Sequence, residues 1–186
     1  MIKFINTKPQ NEMKFYCLFI FLFIIFPVFA QVVTAPAKIS ATDLDYRKDG
    51  NNYLLVIKRG QPLIASLTAF MESEKLPGAS ISGIGAVQHV EIGYYDLDEK
   101  KYKYKRFEPS MEVLSLSGNI GYFENKPIVH AHIALAGSDF NVHGGHVKEA
   151  EVSLILEIFI TPTTRPITRE WNKDLPELRT MTTVRE

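Results

Sequence analysis

Cysteine is almost missing from this chain: Cys17 is the only one in 186 residues, and it lies inside an apolar run. It is therefore neither half of a disulfide nor placed for lipid attachment, and a cysteine nucleophile is excluded from everything that follows it. Other catalytic signatures are absent too. There is no Gly-x-Ser-x-Gly elbow, no P-loop and no His-Glu-x-x-His pair. Gly83 and Gly85 have the spacing that opens a dinucleotide loop. Gln88, however, stands where the third glycine belongs, and a second strand pattern follows instead of a helix. A bend or a close backbone approach accounts for them better.

Charge of one sign is lacking as well. The chain has 21 basic and 21 acidic residues. Residues 1–30 read as a secretory leader: Lys14 precedes the apolar run Phe15 to Phe26, and Val28-Phe29-Ala30 suits a cleavage site before Gln31. The run is shorter than the roughly 18 residues of a spanning helix, so no membrane association is expected after cleavage. Either Met1 or Met13 serves as the start. Cleavage takes away three lysines and Glu12, leaving 18 basic and 20 acidic residues. Export to a periplasm or beyond is expected. DNA is not an expected partner, since a nucleic-acid binder shows a basic excess or stripe. The one basic stretch, Lys100 to Arg106, alternates lysine with Tyr102 and Tyr104, the pattern of a half-solvated or edge strand.

The remaining chain suits one domain. Residues 31–52 show little periodicity and read as a loose N-terminal arm. Tyr53 to Lys58 reads as a strand. Pro62 then stands at a helix's first position, with Leu63, Ile64, Leu67, Phe70 and Met71 at helical spacing up to Pro77-Gly78. Strand patterns follow over Ala79 to Tyr95 (one bent strand or two), the Lys/Tyr segment to Phe107, Met111 to Leu116, a histidine hairpin, and Val152 to Ile160. The last is apolar nearly throughout, as in a strand buried on both faces, so Glu157 in its middle needs a partner. Thr161 to Glu186 reads as a tail that wraps the surface or a neighbouring subunit, with Trp171 to anchor it. The expected fold is α+β: about seven mainly antiparallel strands and one principal amphipathic helix.

Four of the five histidines lie between Lys126 and Glu157. Side chains on a strand alternate faces, so His130 and His132 point the same way. Gly137 to Asn141 supplies turn residues, and reflection about Asp139 puts position 146 across from His132. A third imidazole thus comes within reach. His143 ranks behind His146, because three positions along a regular strand turns it to the other face. Three neutral imidazoles suit zinc or a neighbouring metal and leave a position open. The alternative is a set of hydrogen-bonded structural histidines. His89 lies outside the cluster and reads as a surface or packing residue.

Glu112-Val-Leu-Ser-Leu-Ser-Gly118, His130-Ala-His132, Gly144-Gly145-His146-Val147 and Leu156-Glu157-Ile158 resemble, in order, the signatures of the plants-and-prokaryotes-conserved domain, also called DUF296. Gly78 to Ala86 and Ile92 to Asp96 fit the same pattern, and the resemblance spans about Tyr53 to Pro162. It implies a compact α/β domain that forms a homotrimer, with a metal ion held by His130, His132 and His146. The plant members carry AT-hooks that bind DNA. This chain has none, since Arg165-Pro166 lacks the Arg-Gly-Arg-Pro core.

Three readings of function follow. The first is an exported homotrimer with a three-histidine divalent-metal site, zinc by its donor set, that binds a small molecule or a protein. The second is a metal-dependent enzyme, with Glu157 or Glu112 assisting metal-bound water. The third is a metal-free interaction scaffold or a DNA-associated protein of this domain type.

Overall fold

The computed structural model describes residues 39–183; the leader, the start of the arm and the last three residues lie outside the described residues. The elements run β1 (Asp45–Asp49), β2 (Asn52–Lys58), α1 (Leu63–Glu74), β3 (Ala79–Asp96), β4 (Lys101–Phe107), β5 (Met111–Phe123), β6 (Lys126–Ala136), β7 (Val142–Pro162), β8 (Arg169–Trp171) and β9 (Arg179–Met181). Seven strands form one antiparallel sheet in the order β1-β2-β7-β6-β5-β3-β4, and β8 pairs with β9 separately. Because β7 also pairs with β3, the strands β3, β5, β6 and β7 close on one another. The expected α+β architecture of about seven strands and one principal helix is what forms.

Closure depends on two long, bent strands. The Ala79 to Tyr95 region is a single strand whose register shifts at Gly83/Gly85 and again between Gln88 and Glu91. His89 sits in that second irregularity with φ 50. Gly85 has φ 151, and a Cβ there would meet the carbonyl oxygen of Ile155 at 2.1 Å. This is the close backbone approach the glycine spacing suggested.

The helix α1 starts after Pro62, which takes the cap position, and ends at Lys75 in the left-handed region with φ 52. Leu63, Leu67, Phe70 and Met71 are buried along one face, against β6 and β7. Ser66 shares that face, and its hydroxyl donates to the Pro62 carbonyl at 2.7 Å. The core beneath comprises Leu55 and Ile57 of β2, Ile120 of β5, and Leu156, Ile158 and Ile160 of β7. Burial of a side chain such as Phe70 stabilises the fold by about 2–3 kcal/mol.

Two expectations are corrected here. The arm is not loose over its whole length, because Asp45–Asp49 forms a strand on β2. Tyr46 of β1 and Tyr53 of β2 both donate hydroxyl hydrogen bonds to Glu74 of α1, and the Tyr46 ring stands edge-on to Phe70 at 5.1 Å. Such long-range contacts are invisible to local periodicity. Glu157 is not buried either. It is exposed, opposite Val56 on one side and Ile84 on the other. The apolar run has one face in the core and an apolar face outside, which reads in sequence like a strand covered twice.

The tail lies on the same unit as the sheet. Backbone N–H groups of Tyr122 and Thr163 donate to Ile167 and Gly78, and that of Ile167 donates to Pro77. Trp171 stands edge-on to Phe123 at 5.3 Å. The edge strand β4 has Lys103 paired to Asp96 and Glu99, and its Tyr102 N–H donates to Glu177 of the tail.

Candidate metal centre

His132 is the cross-strand partner of His146, and His146 is also paired with Gly93 of β3. The hairpin register read from the turn residues is the observed one. His130 follows from the two-residue period of β6. One nitrogen from each of the three imidazoles lies within 4.8 Å of the others. Two nitrogens on a tetrahedral zinc are separated by roughly 3.3 Å, so small side-chain rotations bring the set onto an ion. His130 and His146 are half-buried while His132 is exposed, so the group opens to solvent on one side.

Two glycines make room for this arrangement. Gly118 is opposite Ala131, and a Cβ on it would meet the His130 carbonyl oxygen at 2.2 Å. A Cβ on Gly93 would meet the Tyr102 ring at 2.9 Å, and that ring lies 5.1 Å from the His146 ring. Tyr102, which the alternation of β4 had placed on a half-solvated face, is therefore a wall of the histidine site.

Burial, together with the nearby Arg169 charge and the neighbouring imidazoles, lowers the pKa of His130 to about 4. His146 is lowered by burial first, then by His132 and Arg169. Both are held neutral, the form that ligates metal. The Nδ1 atom of His146 is buried without a hydrogen-bond partner. A buried nitrogen left unpaired costs about 1–3 kcal/mol, and an ion or ligand in the cluster is one way to satisfy that ring.

The other candidates fall elsewhere. His143 is paired with Leu135 and lies against the Phe107 ring at 4.9 Å. Among the described residues no carboxylate joins the convergent group. Glu112 is exposed opposite Ala86 and Ala136, and Glu157 stands eleven positions along β7 from His146. His89 lies 3.6 Å from Glu151 and 3.8 Å from Glu108, on the surface.

His130 and His146 line a cleft of about 800 Å³ whose far wall is the β8–β9 tail. Arg169 is buried in that wall; its two terminal nitrogens donate to the Asn119 side chain at 2.7 Å and the Arg179 carbonyl at 2.8 Å. Burial lowers its pKa from the ordinary arginine value. Sequence reasoning missed Arg169 and Asn119, because nothing local marks them; only the docking of the tail brings them to the histidines.

These features define a class: a closed antiparallel sheet domain with an imidazole triad at a cleft. The chain belongs to the Plants and Prokaryotes Conserved (PCC) domain family, whose profile matches residues 44–164. The match begins just ahead of β1, not at Tyr53. Among solved structures, a plant- and prokaryote-conserved protein of Pyrococcus horikoshii is 29% identical with a TM-score of 0.67, covering 80% of this chain and 100% of that one. A metal-containing protein of Archaeoglobus fulgidus is 32% identical with a TM-score of 0.66, covering 75% and 98%. A Bacteroides thetaiotaomicron protein with a provisional DNA-binding name is 28% identical with a TM-score of 0.71, covering 75% and 97%. A comparison with curated proteins finds no match.

Proposed function

We propose that this protein is an exported homotrimer whose His130, His132 and His146 hold one divalent metal ion, zinc by the donor set, and that the adjoining cleft binds a small ligand. The observation that carries this reading is the convergence of three imidazoles within 4.8 Å, one of them with a buried, unpartnered Nδ1. A zinc ion on three histidines would supply a Lewis acid with an open position. The name of the A. fulgidus relative supports a metal in this fold.

The trimer finds support in an apolar outer face. Ile84 of β3, Leu114 of β5, and Leu154, Ile155 and Phe159 of β7 are each 45–61% exposed in the single chain. Such a surface calls for a cover. Export rests on the leader pattern alone.

Binding is preferred to metal-dependent hydrolysis assisted by Glu112 or Glu157, because neither carboxylate belongs to the convergent group. DNA recognition is disfavoured by the balanced charge; affinity for an A·T-rich duplex should not exceed that of a generic neutral protein, and submicromolar specific binding would reverse this view. The primary test is elemental analysis of the untagged protein together with its mass in solution. About one zinc per subunit in a trimer is the expected result. A trimer that contains no metal and refuses added zinc would leave the metal-free scaffold as the function to pursue.

A further inference from the structure

Arg169 is a buried cation with no counter-charge. It is 8% exposed, and among the described residues no carboxylate lies within ion-pair distance of it. Its two hydrogen bonds go to neutral acceptors, the Asn119 side chain and the Arg179 carbonyl, and its Nε–H is buried with no partner. A guanidinium has five N–H donors, so most of its capacity is unspent. Burying an unpaired charge is among the most costly arrangements in a fold unless something else compensates it.

The surroundings indicate what compensates it. Arg169 lines the same cleft as His130 and His146. Arg179 lines it too, as does Lys148, whose ammonium is paired with Glu91 at 3.0 Å; the single acid of the lining is Glu177, whose carboxylate accepts the Tyr102 backbone N–H at 3.0 Å. With Lys148 balanced by Glu91, Arg169 and Arg179 still outnumber Glu177, and this excess of positive charge attracts anions. Its remaining lining is apolar and aromatic, including Ile128, Val129, Tyr104, Trp171 and Met181. Its size of about 800 Å³ falls among ordinary small-molecule sites. Residues 169–181 of this wall lie beyond the family match, which ends at residue 164.

We infer that Arg169 is the anion-recognising residue of the cleft, and that the ligand is a small organic carboxylate with a flat apolar body. The carboxylate pairs with the Arg169 guanidinium, which lines the cleft, and the body lies between the tail and the aromatic wall of β4. The inference rests on reading the cleft as a ligand site, but not on the metal.

The test is calorimetric titration of the full protein with benzoate and phenylacetate, with benzamide as the neutral counterpart and inorganic phosphate as competitor. Each titration is run with and without one equivalent of zinc, and zinc content is measured in parallel. The carboxylates should bind at least about tenfold more tightly than the amide, and Arg169→Gln should weaken them by about thirtyfold or more while leaving zinc content unchanged. Arg169→Lys should recover only part of the loss. Because Arg169→Gln can disturb the tail, the Nε–H resonance of Arg169 in the unaltered protein provides a second readout, and it should shift on benzoate addition. Equal binding of benzoate and benzamide, an unmoved Nε–H resonance, or tighter binding of phosphate than of any carboxylate would overturn the assignment. A carboxylate signal that vanishes without zinc and ignores Arg169→Gln would assign the anion to the metal instead. Absence of zinc with carboxylate binding intact would overturn the metal reading and leave this one standing.

Discussion

His132 faces His146 across the β6–β7 pair, so the pairing of these two positions is set by the length of the turn between them. The five-residue span 137–141 joining the strands holds that register, and His130 inherits its position from the strand period.

The ligand assignment is tested directly by substitution. His132→Ala and His146→Ala should each abolish stoichiometric zinc uptake, whereas His143→Ala, on a ring packed against Phe107, should retain it. Elemental analysis of the three variants decides the matter. Stoichiometric zinc in His132→Ala would sink the proposed set.

Gly118 should tolerate nothing larger than hydrogen. A methyl group there meets the His130 carbonyl oxygen, and the closed sheet gives that backbone little room to retreat. Gly118→Ala should lose at least about 2 kcal/mol in chemical denaturation and bind zinc more weakly. A variant as stable as the parent would contradict the close approach.

Acid should loosen the β1–β2–α1 corner. Hydrogen bonds from Tyr46 and Tyr53 hold the pKa of Glu74 below its ordinary value of 4.5. A carboxylate with a lowered folded pKa contributes its stability above the unfolded value and loses it as pH falls through the folded one. Tyr53→Phe should therefore cost about 1 kcal/mol at neutral pH, and the difference from the parent should shrink below pH 4.5. Stability curves that stay parallel down to strong acid would refute the coupling.

Assembly should respond to the outer face of β7. Phe159→Glu places a charge on the exposed apolar surface and should convert the proposed trimer to monomers in sedimentation velocity, with the circular dichroism spectrum preserved. An unchanged trimer would move the interface elsewhere.

How much of this was readable in advance varied with the range of the interactions. The helix was legible because Leu63, Leu67, Phe70 and Met71 repeat at one period, and the histidine pair because its turn is short. The strand at Asp45–Asp49 was missed for another reason: it pairs with β2 through the two-residue Gly50-Asn51 turn, a local hairpin that its polar sequence hid, and Tyr46 and Tyr53 then tie the hairpin to Glu74. Glu157 misled because an outer apolar face and an inner one look alike in a string of letters. Arg169 gave no signal: its meaning depends on Asn119, fifty positions earlier, and on a tail that reaches β5 through the Tyr122–Ile167 backbone bond.

The origin of the cleft's two walls has a consequence for how such proteins diversify. The imidazoles sit on strands of the closed sheet, whereas Arg169, Trp171 and Arg179 belong to a hairpin outside it. Changes in that hairpin leave the pairings of the seven-stranded sheet in place. A relative that kept the three histidines and carried another ending would retain the same chemistry at the floor of the cleft and admit a different molecule.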